Sequence, residues 1–164
     1  MPATTSAANT STTSSTDRIE KQIRLSSPQS RVWRALTDAR EFGKWFGVEF
    51  HGAFAPKTSV NGRLTAKGYD HLNFEFAIDK IEPERFFSFR WHPFAIDPSV
   101  DYSSEPMTLV TFTLEPVDGG TLLKVVETGF DKIPASRRVK AFEMNASGWD
   151  APTKNIQKYL AANA

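Results

Sequence analysis

The chain contains no cysteine. Disulfides, thiolate metal sites, cysteine nucleophiles and all-cysteine iron–sulfur clusters are therefore excluded, and a reducing, cytoplasmic setting is the expectation. Charge of one sign is also lacking: 20 Lys and Arg stand against 19 Asp and Glu, a formal +1. That balance gives no reason to expect nucleic acid as a partner. No run is long and apolar enough to span a bilayer. Histidine is sparse, and His51, His71 and His92 have no partner at i+2 or i+4, so the spacing supports no metal site. No P-loop, nucleophile elbow, flavin or nicotinamide motif is present, and Gly119-Gly120 reads as a hairpin turn. No catalytic residue, cofactor or metal is assigned.

What is present is enough apolar material for a core: 40% hydrophobic residues and 12% aromatics over 164 residues, a length that suits one domain. Residues 1–17 are almost all Ser, Thr, Ala and Asn. Such a stretch cannot bury enough surface to offset chain entropy and reads as a disordered tail. It lacks the basic and apolar regions of a secretory signal. Residues 18–164 read as the folded domain.

Arg18 to Leu25 is β-like. Ser27 is expected to cap a helix with Pro28 at its first position, and Val32, Trp33 and Leu36 form its apolar face. Asp38 can cap a second short helix ending near Trp45, punctuated by Gly43 and Gly47. Asn61-Gly62 carries a hairpin-turn signal. Four stretches then alternate with period two: Phe74, Phe76 and Ile78; Phe87, Phe89 and Trp91; Val110, Phe112 and Leu114; Leu123, Val125 and Glu127. This is the pattern of an antiparallel sheet with one buried face. The link His92 to Pro106 is a loop long enough to serve as a lid. Ile133-Pro134 opens a last helix, on which Phe142, Trp149 and Ile156 share one face, with a kink or break expected at Gly148 and Pro152. The resulting class is α+β: a curved antiparallel sheet wrapped around a long C-terminal helix, with two short helices after the first strand and a space between sheet and helix.

The series Pro28-x-x-x-Val32-Trp33-x-Ala35-Leu36-Thr37-Asp38, Trp45-Phe46, Ile81-Glu82-Pro83-Glu84-Arg85, Gly119-Gly120-Thr121-x-Leu123, Glu127-x-Gly129-Phe130 and Gly148-Trp149 resembles the activator of heat-shock-protein-90 ATPase homologue family. That family lies within the START/Bet v-like (SRPBCC) superfamily. The resemblance covers about residues 18 to 162. It implies a helix-grip fold with a hydrophobic cavity under the last helix. The wider superfamily includes lipid carriers, hormone receptors and polyketide cyclases. The chain departs from the family pattern at Pro152, where an unbroken helix is usual.

Glu127 is in phase with Leu123 and Val125 and so faces inward, where burial favours the protonated form. It could contact a ligand, or it could be a structural carboxylate paired with a helix residue such as Lys140. Trp45, Phe46, Phe76, Phe89, Trp91, Phe112, Phe142 and Trp149 are the expected ligand-binding wall, with Glu127 as its polar member. Arg63 and Arg90 are placed on the outer face of the sheet. The leading expectation is binding of a small hydrophobic or aromatic molecule, as carrier, sensor or sequestering protein. One alternative is a polyketide cyclase or aromatase-like enzyme using the same cavity, with Glu127 and a Tyr69 or Tyr102 hydroxyl. Another is a co-chaperone-like regulator of a chaperone ATPase, acting through an exposed surface. The reading leans away from an enzyme. Edge strands could pair to make a homodimer.

Overall fold

A computed structural model describes residues 16–164. The expected tail falls outside the described residues except for Thr16 and Asp17. Those two are tied to Asp131: the Thr16 hydroxyl donates to its carboxylate (2.7 Å) and its backbone N–H donates to Asp17 (3.0 Å).

Strand β1 (Arg18–Leu25) leads into α1 (Gln29–Thr37) and α2 (Ala39–Phe46). Six strands follow: β2 (Val48–Phe50), β3 (Ser59–Leu64), β4 (Asn73–Glu82), β5 (Phe86–Trp91), β6 (Thr108–Val117) and β7 (Gly120–Thr128). A 3-10 turn, Phe130–Lys132, precedes α3 (Ala135–Gly148) and α4 (Asp150–Ala162). The strands form one curved antiparallel sheet in the order β1-β7-β6-β5-β4-β3-β2. The first strand thus pairs with the last, with Leu25 opposite Thr121 and Ile19 opposite Glu127. Period-two alternation makes one face apolar, and α1 lies against β6 and β7 while α4 packs on α1, α2 and β1. Phe76, Phe87, Phe89, Phe112, Leu36 and Ile156 are fully buried between these layers. Among the described residues no helix is long and apolar enough to cross a membrane.

Two local expectations are corrected, and one strand went unread. Ser27 does not cap α1. The Pro28 carbonyl itself accepts from the N–H groups of Arg31 (3.0 Å) and Val32 (3.1 Å), so Pro28 holds the cap position, and the Ser27 carbonyl accepts instead from the Thr121 hydroxyl (2.8 Å). Asn61-Gly62 is not a turn; both residues lie inside β3. Gly62 is there for close approach, since a Cβ would meet Val48 Cγ1 at 2.5 Å and Phe50 Cδ1 at 2.9 Å. The short strand β2 went unread because its three residues are too few to show alternation.

The cap on α2 is as expected: the Asp38 carboxylate accepts from the N–H groups of Arg40 (2.9 Å) and Glu41 (3.1 Å). Gly47 ends that helix in the left-handed region at φ 92°. Gly43 sits inside α2 because the helix rests directly on β2: a Cβ would lie 2.0 Å from the Val48 carbonyl oxygen. The C-terminal helix is broken between Gly148 and Asp150, with Trp149 itself still helical at φ −76°, ψ −13°. Pro152 has no N–H to offer the Gly148 carbonyl, which removes one bond of the ladder at that point.

Candidate ligand-binding site

Glu127 is 0% exposed. Strand alternation points it inward from β7, and four side chains bring donors to its carboxylate. Trp91 stands at the end of β5, paired across the ladder with Thr108 at the start of β6. Its Nε1–H donates to Glu127 Oε2 (2.7 Å), as does the Thr108 hydroxyl (2.6 Å). From the helical side Asn145 and Trp149, four residues apart and so on one helix face, complete the set. Trp149 Nε1–H donates to Oε1 (2.9 Å), and Asn145 Nδ2 reaches Oε1 (3.1 Å) and Oε2 (3.0 Å). Glu127 therefore joins β5, β6 and β7 to the break between α3 and α4. Lys140 is exposed and is not among its partners.

Burial pushes the Glu127 carboxyl above the usual carboxylate range. The bonds from Thr108, Trp91, Trp149 and Asn145 pull it down without cancelling that effect. The geometry still suits the ionised form. Two indole N–H groups and the amide NH2 as placed only donate, so a carboxyl proton would need the Thr108 hydroxyl oxygen or a turned Asn145 amide to accept it.

The aromatic wall is assembled, but it is a packed wall. Phe76 and Phe89 stack at 4.1 Å between centroids, and Phe112 meets Trp149 edge-on at 6.0 Å. Trp45 is buried, with its indole N–H donating to the Ala35 carbonyl (2.9 Å). Phe46, Trp91 and Trp149 form a triangle with sides of 5.9, 6.1 and 5.8 Å. Phe142 stands apart from them, packed on Phe130 at 5.2 Å. Where the sheet meets the α3–α4 break lies a pocket of about 70 Å³, lined by Phe46, Trp91, Asn145, Gly148, Trp149 and Pro152, and at the far end of α4 a space of about 430 Å³ is bounded by Leu25, Ser27, Gln157 and Leu160. On another side of Trp91 lies a space of about 180 Å³ bounded by Phe74, Glu75, His92 and Tyr102. A larger groove of about 740 Å³ runs along α2 and β2 past Arg40, Lys44, Glu49 and Phe54, and contains none of the expected site residues.

The remaining candidates separate from the site. Tyr69 is exposed, and the Tyr102 hydroxyl accepts from the Asp97 N–H (3.2 Å); neither reaches Glu127. Arg63 pairs with Glu49 (3.0 Å) and Arg90 is exposed. His92 is half-buried, and burial pushes its imidazole below the ordinary value. Among the described residues no cluster of His, Asp and Glu stands ready to hold a metal ion. The 92–106 loop is pinned: Arg137 of α3 donates to Glu105 (2.8 Å) and to the Pro93 carbonyl (2.9 Å), and lies 4.7 Å from the Tyr102 ring centroid.

Sequence reasoning did not find Thr108 or Asn145. The available signal was positional: Thr108 begins the strand that must pair with Trp91, and Asn145 precedes Trp149 by one helical turn. It also missed a clamp on the last helix. Arg31 Nη2 pairs with Glu41 (2.9 Å), Arg31 Nε donates to the Asn163 carbonyl (2.8 Å), and the Tyr159 hydroxyl donates to Glu41 (2.8 Å).

A curved sheet gripping a C-terminal helix over one polar spot in an apolar interior is the helix-grip class. Residues 26–161 match the profile of the family described as Activator of Hsp90 ATPase homolog 1-like protein, and the chain belongs to that family. Similar solved structures include a Mesorhizobium loti protein, 23% identical over 90% of this chain and 98% of that one, with a TM-score of 0.71. DynU16, a protein of the dynemicin biosynthetic locus, is 23% identical with a TM-score of 0.69; the match covers 90% of this chain but only 48% of DynU16. The Aha1 of Colwellia psychrerythraea, solved in solution as a dimer, is 16% identical over 85% of this chain and 92% of that one, with a TM-score of 0.64. At these identities the likeness is one of fold. No curated protein matches the chain.

Proposed function

We propose that residues 18–164 act as one binding domain for a small hydrophobic or aromatic molecule, held where the sheet meets the α3–α4 break, in a carrier, sensor or sequestering role in the cytoplasm. The observation that carries this reading is the pairing of an apolar, ring-lined pocket with a buried carboxylate directly behind its walls. A few fixed polar groups in an aromatic surround are what small-molecule sites are made of. At about 70 Å³ the pocket is far below the roughly 300–1,000 Å³ of sites that enclose a whole drug-sized ligand. Binding of a larger body therefore requires α3 and α4 to part at Trp149, where the Pro152 gap already weakens the helix.

Native mass spectrometry of the freshly purified protein, followed by solvent extraction, tests this. The expected result is a reproducible bound mass that is absent from Gly148→Phe. A Cβ at Gly148 meets nothing within 4 Å, so that side chain can plug the pocket without disturbing the core. No bound mass, with no thermal shift across a panel of lipids and aromatic compounds, would overturn the reading. A chaperone-regulating role would be untouched by the plug, because it would use an exposed surface.

A further inference from the structure

We propose that the pocket between Phe46, Trp91 and Trp149 is a seat for the methylated ammonium head of an organic cation. This names a ligand class for the site proposed above and rests on that reading. Three aromatic rings meet at one small opening, with centroids 5.8 to 6.1 Å apart. A cation resting on that triangle would touch all three rings, and Trp is the strongest cation–π partner among the side chains. Both indoles point their N–H edges at one carboxylate, Trp91 at Oε2 and Trp149 at Oε1. A negative charge accepting from an indole N–H pushes electron density back into the ring and strengthens the attraction of its face for a cation. The Glu127 carboxyl lies just behind the wall.

The lining selects further. None of its six residues carries a positive charge. Asn145 uses its Nδ2 on Glu127, and its amide oxygen is the one remaining side-chain acceptor among the lining residues. A primary ammonium brings three N–H donors and would leave most of them unmatched there. A methylated ammonium brings apolar surface and charge together and needs no such partners. About 70 Å³ is the share of roughly two waters at ~30 Å³ each, so the pocket takes only the methyl tip of such a head, with the rest of the molecule lying at the mouth beside exposed Gly148.

The test is a titration of the full chain with choline and with its neutral isostere 3,3-dimethylbutan-1-ol, read by tryptophan fluorescence and calorimetry. Choline is expected to bind about tenfold more tightly than the isostere, the order of a partly desolvated cation–π contact. Gly148→Lys and Gly148→Glu, whose side chains begin in open space, should shift choline affinity in opposite directions, about tenfold down for Lys and severalfold up for Glu. Short-chain phosphatidylcholine below its micelle concentration separates a lipid headgroup from a free cation. Either one binding ahead of a neutral counterpart supports the seat, and the tighter one names the source. Equal binding of choline and the isostere, or no response to the Gly148 charge pair, overturns the cation proposal and leaves hydrophobic binding standing. Failure of the broader reading shows separately, as the absence of any bound mass.

Discussion

The indoles of Trp91 and Trp149 lie 5.8 Å apart with planes 30° from parallel, and each gives its N–H to a different oxygen of Glu127. One tryptophan belongs to the sheet and the other to the helical break, so this pair is where the two layers are locked. A change at the carboxylate between them is felt by both layers.

Glu127→Gln is nearly isosteric but offers one acceptor oxygen where two were used, and adds two donors facing donors. At least one buried N–H then loses its partner, which costs about 1–3 kcal/mol. The expected outcome is a lower urea midpoint with an unchanged slope. A neutral result would mean that the four donors do not depend on the carboxylate.

The pH dependence of that difference has a definite sign. Burial raises the folded-state pKa of Glu127 above the ordinary glutamate value of 4.5. The folded state therefore binds the proton more readily than the unfolded chain. Stability from this group is full below the unfolded value and is lost as pH rises through the folded one. Wild type minus Glu127→Gln, measured by denaturant unfolding from pH 4 to pH 8, should fall as pH rises. Glu41 works the other way. Burial raises it, but bonds from Tyr159 and Arg31 and the nearby Arg34 charge outweigh burial and hold it low, so its contribution is present above 4.5 and lost in acid. A wild-type minus variant difference that rises with pH would contradict the assignment for Glu127.

Arg31→Met removes the nine-tenths-buried cation of the clamp on α4. Arg34 (2.9 Å) and Tyr159 (2.8 Å) still reach Glu41. The loss should thus be roughly 2 kcal/mol, below the roughly 3–5 kcal/mol of a fully orphaned buried charge. Hydrogen exchange should show it first as fraying of residues 156–163. Unchanged protection there would mean that apolar packing alone holds the end of the helix.

The glycines should divide sharply. Gly43→Ala drives a Cβ onto the Val48 carbonyl oxygen at 2.0 Å, and Gly120→Ala onto that of Leu25 at 1.9 Å. Each should destabilise by about 1–3 kcal/mol or more, since backbone must move. Gly148→Ala meets nothing within 4 Å and should stabilise α3 by up to about 1 kcal/mol. Thermal melts of the three variants check this ordering.

Much of this architecture was legible because it rests on period and punctuation. Alternation alone placed Phe76, Phe89, Val110 and Glu127 on the inner face, and Asp38 with Gly47 bounded α2. Pro152 announced the break in the last helix. What stayed hidden depends on contacts between distant segments. The role of Gly62 follows from Val48 and Phe50 crossing over it, and the clamp joins Arg31 to Glu41, Tyr159 and Asn163. The openness of the interior was beyond sequence for a related reason: the same aromatics can line a cavity or fill it, and here Phe112, Trp149 and their neighbours fill most of it. Thr108 and Asn145 carry no special pattern of their own and gain meaning only once Glu127 is placed between them.

The most direct test of the ligand-binding account is a two-dimensional NMR titration of the tryptophan indole N–H signals with the molecule extracted from the purified protein. The account predicts that Trp91 and Trp149 shift together while Trp33, on α1, stays in place. Saturable binding that leaves both indoles unmoved, or that moves Trp33 instead, would contradict it.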